Sequence, residues 1–426
     1  MPETPSFLWG SATSSHQIEG NNCANDWWAW ETQGRLKIPS GLACDSYTRF
    51  REDFEIVSRL GHNSHRFSLE WSRFEPEENV WNEEAFRHYD EVFRELQARK
   101  IEPVVTLHHF TNPEWFSKKG GWLSDQTVLL FSRYVDRMVR AYGKYVRFWI
   151  TINEPLIYLY HGFFSGLWPP GIKSYRDSLT VFKNQIYAHV GAYRTIHSWY
   201  EANLKHRPAV SLAMHMTHFT PCNPGSARDR LAAFTRNWFV NMLFPEALKT
   251  GYLFYPGVFS EFLPLKNTLD YIGLNYYTRD FIRYQGLFAE GAFLGRIASA
   301  EECGRPKGER NEMGWEVYPE GLYRILKNLA RFKLPILVTE NGICAKEDTQ
   351  RVRFIRNHLE SVSRARREGV PVEGYFYWSL LDNFEWAHGF EPRFGIVEVD
   401  YNTQQRKIRP SAHVLTEMCR KMTNEG

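Results

Sequence analysis

The chain is predicted to be an α/β protein, a closed (β/α)8 barrel formed by residues 1–426 as one catalytic domain, with loop insertions at the carboxyl-terminal face. Three observations lead there. Eight short apolar runs recur along the chain, amphipathic stretches of helical period separate them, and nothing between them has the composition of a linker. Strands that alternate with helices pair in parallel through right-handed crossovers, and eight such units close economically into a ring. The competing architecture, an open doubly wound sheet, calls for a glycine-rich phosphate loop after the first strand. The segment "WGSATSSHQIEG" is not GxGxxG.

The candidate strands are Phe7–Ala12, Ser64–Ser68, Pro103–His109, Phe148–Asn153, Ala209–His215, Asp270–Asn275, Ile336–Glu340 and Glu373–Trp378. They are rich in β-branched and aromatic residues, and several lack the polar alternation of a strand with one wet face, as expected where both faces are covered. Between them, Asn82 caps a helix that carries Ala85, Tyr89, Val92, Phe93 and Leu96 on one face. Ser124 is read as the cap of a second helix bearing Val128, Val135, Met138 and Val139, stopped by Gly143. A third runs from about Thr349 to Gly369 with the stripe Val352, Ile355, Leu359 and Val362.

With 426 residues, 52 Lys and Arg against 49 Asp and Glu, and a net charge of +3, the chain has no field that favours nucleic acid or an anionic membrane. Aromatics reach 16%, a surplus that suits stacking surfaces for flat ligands such as sugar rings. Six scattered cysteines (Cys23, Cys44, Cys222, Cys303, Cys344, Cys419) form no CxxC pair, so reduced thiols, no disulfide and a cytoplasmic location are expected. The N-terminus lacks a secretory pattern, and no apolar run approaches the roughly 20 residues of a membrane span. A homo-oligomer is left open.

In a barrel of this kind chemistry gathers at the carboxyl ends of the strands. Those ends carry Gln17 and Glu19, Arg66, His108 and His109, Asn153 and Glu154, Asn275 and Tyr277, Glu340, and Trp378. His108 and His109 are neighbours on a strand and point to opposite faces. With no HExxH and no Cys/His spacing, no catalytic metal and no cofactor are expected. Glu340 closes the apolar run "PILVTENG", and Glu154 closes "TINEP" 186 positions earlier. A glutamate at a strand end is more often a cap or an ion-pair partner than a catalyst. Two that face each other across one mouth are what glycoside hydrolysis needs: one donates a proton while the other attacks or stabilises an oxocarbenium-like centre.

The ordered segments "FLWGSATSSHQIEG", "HRFSLEWSR", "TLHHF", "TINEP", "GLNYY", "MGWEVYPEGL", "VTENG" and "YFYWSLLDNFEW" resemble the family 1 glycoside hydrolases, retaining enzymes of the β-glucosidase and β-galactosidase type. The resemblance implies an exo-acting retaining β-glycosidase with Glu154 as general acid/base and Glu340 as nucleophile. It places Arg66 and Tyr277 beside the nucleophile and Asn153 at the sugar 2-hydroxyl. Gln17, His109, Asn275, Glu385 and Trp386 fall among the sugar-binding positions, Trp378 under the ring and Trp315 on the aglycone side. It further implies carboxyl groups about 5–5.5 Å apart, with Glu340 ionised and Glu154 protonated. The partner implied is a small-molecule glycoside or oligosaccharide. Glu385 in "NFEW" argues for a neutral sugar over a 6-phosphate, and the retained Glu154 argues against a thioglucosidase or a non-catalytic sugar-binding protein. Transfer of glycosyl groups to acceptors other than water shares the same intermediate and stays open. Departures from the family pattern are Phe110, where Trp is common, and His388, where Glu is usual.

Overall fold

A computed structural model describes residues 7–255, 258–289 and 292–424. Among these, eight parallel strands form a closed ring. They are β1 (Leu8–Ala12), β2 (Ser64–Ser68), β3 (Glu102–His108), β4 (Phe148–Asn153), β5 (Ala209–Pro221), β6 (Ile272–Ala289), β7 (Ile336–Asn341) and β8 (Val372–Trp378). Each pairs with its neighbours in sequence, and β8 returns to β1 with Leu8 opposite Gly374 and Ala12 opposite Trp378.

Side chains alternate across this ring as the pleat requires. Leu8, Val104, Ile150, Leu337 and Phe376 pack together as one buried cluster, while Trp9, Val105, Trp149, Ile336 and Tyr375 belong to the larger apolar layer shared with the helices. Two glycines mark where backbones approach too closely for a Cβ. One added at Gly10 would sit 1.9 Å from Ser64 O, and one at Gly342 would sit 1.8 Å from Trp378 O. The second explains why "VTEN" is followed at once by glycine: the chain leaves β7 pressed against the end of β8.

The helix over Glu83–Ala98 starts as read from the sequence, with Asn82 Oδ1 accepting from Glu84 N, and it buries Ala85, Tyr89, Val92, Phe93 and Leu96. The helix assigned to Ser124 starts later, at Thr127. Residues Gly121–Leu123 form a 3-10 turn first, and Ser124 Oγ accepts from Gln126 N within the approach to the helix. The third spans Asp348–Arg367, with Ile355, Leu359 and Val362 buried. A 29-residue helix, Tyr175–Asn203, joins β4 to β5; Ser174 Oγ caps it by accepting from Asp177 N.

Strands β5 and β6 run beyond the ring. The outer part of β6 pairs antiparallel with Ala292–Ala298, so a ribbon stands at the mouth where the sequence suggested loop. The expectation of reduced thiols fails here. Cys222, just past β5, is disulfide-bonded to Cys303, 81 positions on, with Cα atoms 4.9 Å apart. Cys222 N donates to Ile282 O, which holds it beside the ribbon, and the chain after Ala298 turns back to bring Cys303 there. A pairing made by tertiary return leaves no trace in cysteine spacing. Among the described residues no helix is long and apolar enough to cross a membrane.

Candidate active site

Strands β2, β4, β6 and β7, with the residue that follows β4, deliver one connected set of buried groups. Arg66, from the middle of β2, points into the mouth with both Nη atoms engaged. Nη1 donates to Glu340 Oε1 at 2.6 Å and to Thr339 O at 2.9 Å, and Nη2 donates to Asn153 Oδ1 at 2.7 Å. The Tyr277 hydroxyl donates to the other Glu340 oxygen, Oε2, at 2.6 Å. Asn275 Nδ2 reaches both Asn153 Oδ1 (3.1 Å) and Glu154 Oε1 (2.8 Å), while its own Oδ1 accepts from Thr339 Oγ1 at 2.6 Å. The two glutamates therefore share one pocket, joined through Arg66, Asn153 and Asn275, with Glu154 7% and Glu340 3% exposed.

The backbone at this rim is forced. Glu154 has φ 42° and ψ 58°, a left-handed conformation that L-residues other than Asn and Asp avoid. Its N–H donates to Ala213 O at 2.7 Å, and Pro155 opens a short helix immediately after. Phe110 (φ 72°) and Trp386 (φ 51°) are also left-handed, and the Trp378–Ser379 peptide is cis. Left-handed residues such as Phe110, Glu154 and Trp386 are held by the structure around them.

Gln17, His109, Trp378, Glu385 and Trp386 come together along one wall. Gln17 Nε2 donates to Asn383 Oδ1 (3.1 Å), Phe384 O (2.9 Å) and Glu385 Oε2 (3.2 Å). Asn153 Nδ2 donates to His109 Nε2 at 3.3 Å. The His109 ring lies nearly parallel to Trp378 (centroids 5.9 Å apart, 13°) and to Trp386 (6.3 Å, 12°). Trp315 packs on Tyr277, with ring centroids 5.5 Å apart. Glu19 goes elsewhere: it accepts from Arg73 Nε at 2.6 Å and from the Tyr89 hydroxyl, outside this set. His108 turns away from His109 and bonds Asn112 through Nε2 at 3.0 Å.

Two contributors escaped the sequence reading. Trp168 packs against Phe110 (5.0 Å), Trp386 (5.8 Å) and Trp27 (5.4 Å), so an indole returns to the wall where Phe110 replaces one. His215, the last residue of the fifth predicted strand, places Nδ1 3.4 Å from Glu154 Oε1. Its position at a strand end was the available signal.

His215 also changes the electrostatics expected at the dyad. Burial pushes the Glu154 carboxyl up, but the hydrogen bond and charge of His215, the Asn275 hydrogen bond and Arg66 outweigh it and leave Glu154 below its ordinary value. Burial raises Glu340 to about 7; Arg66 opposes this, the Glu154 charge adds to it, and the Tyr277 and Arg66 hydrogen bonds oppose it. A cationic partner next to Glu154 thus works against the protonated form expected of it, while burial works against the ionised form expected of Glu340. Burial, then the charges of Glu340 and Glu154, raise Glu385 to about 8. His109 falls well below its usual value through burial and the nearby Arg66, so it is neutral.

Comparison with known proteins agrees with this geometry. The profile of glycosyl hydrolase family 1 matches residues 2–424. The chain is 33% identical over 440 residues to a 1,4-beta-D-glucan glucohydrolase of Thermotoga neapolitana, covering 96% of each chain. It is 30% identical to a beta-galactosidase of Pyrococcus woesei, covering 94% of this chain and 93% of that one. The solved beta-glycosidase from Pyrococcus horikoshii superposes with a TM-score of 0.90 at 40% identity, covering 99% of this chain and 95% of that chain. A closed ring of parallel strands, two buried glutamates at the ends of β4 and β7, and a match along nearly the whole sequence lead to one conclusion: the chain belongs to glycosyl hydrolase family 1.

Proposed function

We propose that this glycoside hydrolase is an exo-acting retaining β-glycosidase in which Glu340 is the nucleophile and Glu154 the general acid/base, with neutral β-D-glucosides preferred and β-galactosides and β-fucosides as secondary substrates. The observation that supports this best is the unequal support of the two carboxylates. Both oxygens of Glu340 are held by strong donors, Arg66 and Tyr277, as an attacking carboxylate requires, whereas Glu154 has one amide donor and an imidazole.

In the first step a Glu340 oxygen bonds to the anomeric carbon as the glycosidic bond breaks. The bonding pair leaves with the aglycone oxygen, which takes the proton from Glu154. In the second step water gives its proton to Glu154, its oxygen bonds to the anomeric carbon, and the Glu340 ester bond breaks to return a carboxylate. Asn153, Gln17, His109, Asn275, Glu385 and Trp386 would hold the sugar hydroxyls over Trp378, with Trp315 toward the aglycone. Glu385 offers no positive charge in either protonation state, which disfavours a 6-phosphate. The reading extends to a cytoplasmic location, where a disulfide such as Cys222–Cys303 persists in hyperthermophiles and is rare otherwise.

The test is kcat/KM for aryl β-D-gluco-, galacto-, fuco-, manno- and 6-phosphoglucosides, with the first-formed anomer followed by NMR. A β-anomer should appear first. Glu340→Gly should be inactive, and azide should restore turnover to a glycosyl azide of inverted configuration. Full activity in that variant, or activity confined to the 6-phosphate, would overturn the reading.

A further inference from the structure

We propose that His215 is a positioning residue for the acid/base: it shares the Glu154 proton, so that aglycone departure is served by a carboxyl–imidazole pair instead of a lone carboxyl. The inference rests on the assignment of Glu154 above.

The imidazole is fixed on three sides. Nδ1 faces Glu154 Oε1 at 3.4 Å, Nε2 lies 3.2 Å from Thr217 Oγ1, and the ring lies nearly parallel to Tyr277 (6.0 Å, 18°), whose hydroxyl holds Glu340. Both protonation states have partners. As imidazolium, Nε2–H and Nδ1–H donate to Thr217 and to the Glu154 carboxylate; as the neutral Nε2–H tautomer, Nδ1 accepts from a protonated Glu154.

The charged groups around it favour retention of the proton. Glu154 on β4, Glu340 on β7 and Asp280 on β6 all act to raise His215 and together outweigh burial. Among the positive groups, Arg66 acts on Glu154, Arg236 and Arg310 act on Asp280, and His161 is depressed to about 4 by its own burial and stays neutral.

Proton accounting follows. At rest the pair holds one proton, on either partner. For glycosylation that proton moves from Nδ1 to Glu154 and then to the departing oxygen, leaving neutral His215 and a Glu154 carboxylate. Water attack returns a proton to Glu154 and so to the pair. Two coupled sites surrender their last proton at a pH at least as high as either would alone. His215 therefore keeps the enzyme supplied with an acid further into alkaline conditions than an isolated Glu154 would.

The experiment compares wild type with His215→Asn and His215→Gln, measuring kcat/KM against pH on phenyl β-D-glucoside, which needs a proton to leave, and on 2,4-dinitrophenyl β-D-glucoside, which does not. Both variants should move the alkaline limb for the phenyl substrate to lower pH by about one unit. A limb that stays in place, or an equal loss on both substrates at every pH, would overturn the role of His215. Glu154→Gln, run alongside, separates the two assignments. If it hydrolyses both substrates undiminished, the acid/base reading fails together with this one; if it loses only the phenyl substrate while the His215 limb is unmoved, only the His215 role fails.

Discussion

Replacing Tyr277 with Phe removes one oxygen and leaves the ring packed against Trp315 and parallel to His215. The lost bond is the 2.6 Å donation to Glu340 Oε2. Burial, with the charges of Glu340 and Glu154, holds the Tyr277 phenol well above its usual range, so it donates throughout the working pH range. A hydrogen bond to a charged group contributes about 1.5–3 kcal/mol, and one pK unit corresponds to about 1.4 kcal/mol. Because the donor favours the ionised form, its removal raises the Glu340 pKa, already at about 7, by roughly one to two units. The acidic limb of kcat/KM should therefore move up by that amount, and at a fixed pH below it the rate should fall about ten- to a hundredfold. The assay is kcat/KM against pH with 2,4-dinitrophenyl β-D-glucoside, whose departure does not depend on Glu154. Acidic limbs that superimpose for wild type and variant would show that Tyr277 does not set the charge of Glu340.

Two further outcomes concern stability. Cys303→Ser opens an 81-residue loop, for which chain-entropy reasoning gives about 4 kcal/mol; the unfolding midpoint should drop, and reductant should lower the parent's midpoint but not the variant's. An unchanged midpoint would mean that the bridge adds nothing to stability. Leu359→Ala, at a fully buried position on the Asp348–Arg367 helix, should cost about 2–5 kcal/mol in denaturant unfolding, and a loss under about 1 kcal/mol would contradict the close packing of that helix.

The ring was legible because its strands are short, apolar and separated by helices with clear periods, so each lies within a residue or two of its expected start. The ends of β5 and β6 were not. Beyond the ring, "TRDFIRYQG" buries the adjacent residues Phe281 and Ile282, which point to opposite faces, so the ribbon shows no alternation that would mark it as a strand. The dyad and its donors were read through motif resemblance together with their place at strand ends. What composition could not convey was adjacency: that Asn275 reaches Glu154, that Trp168 comes back beside Phe110, and that His215 also stands next to Glu154. The last of these works against the protonated form expected of Glu154, since electrostatics depends on distances that only the closed ring sets.

Phe110, Glu154 and Trp386 all hold a main-chain twist that an unconstrained peptide would shed, and all three stand around the same opening. Phe110 and Glu154 follow closely on paired strands, and Trp386 sits in a turn closed by Glu385 N to Gly389 O and Gly389 N to Trp386 O, so side chains at the entrance are aimed by the cylinder together with the loops it anchors. Accuracy at the point of bond cleavage is in this sense a collective property: loosening a distant pair of strands would blur the aim of Glu154 without touching any atom that meets the sugar.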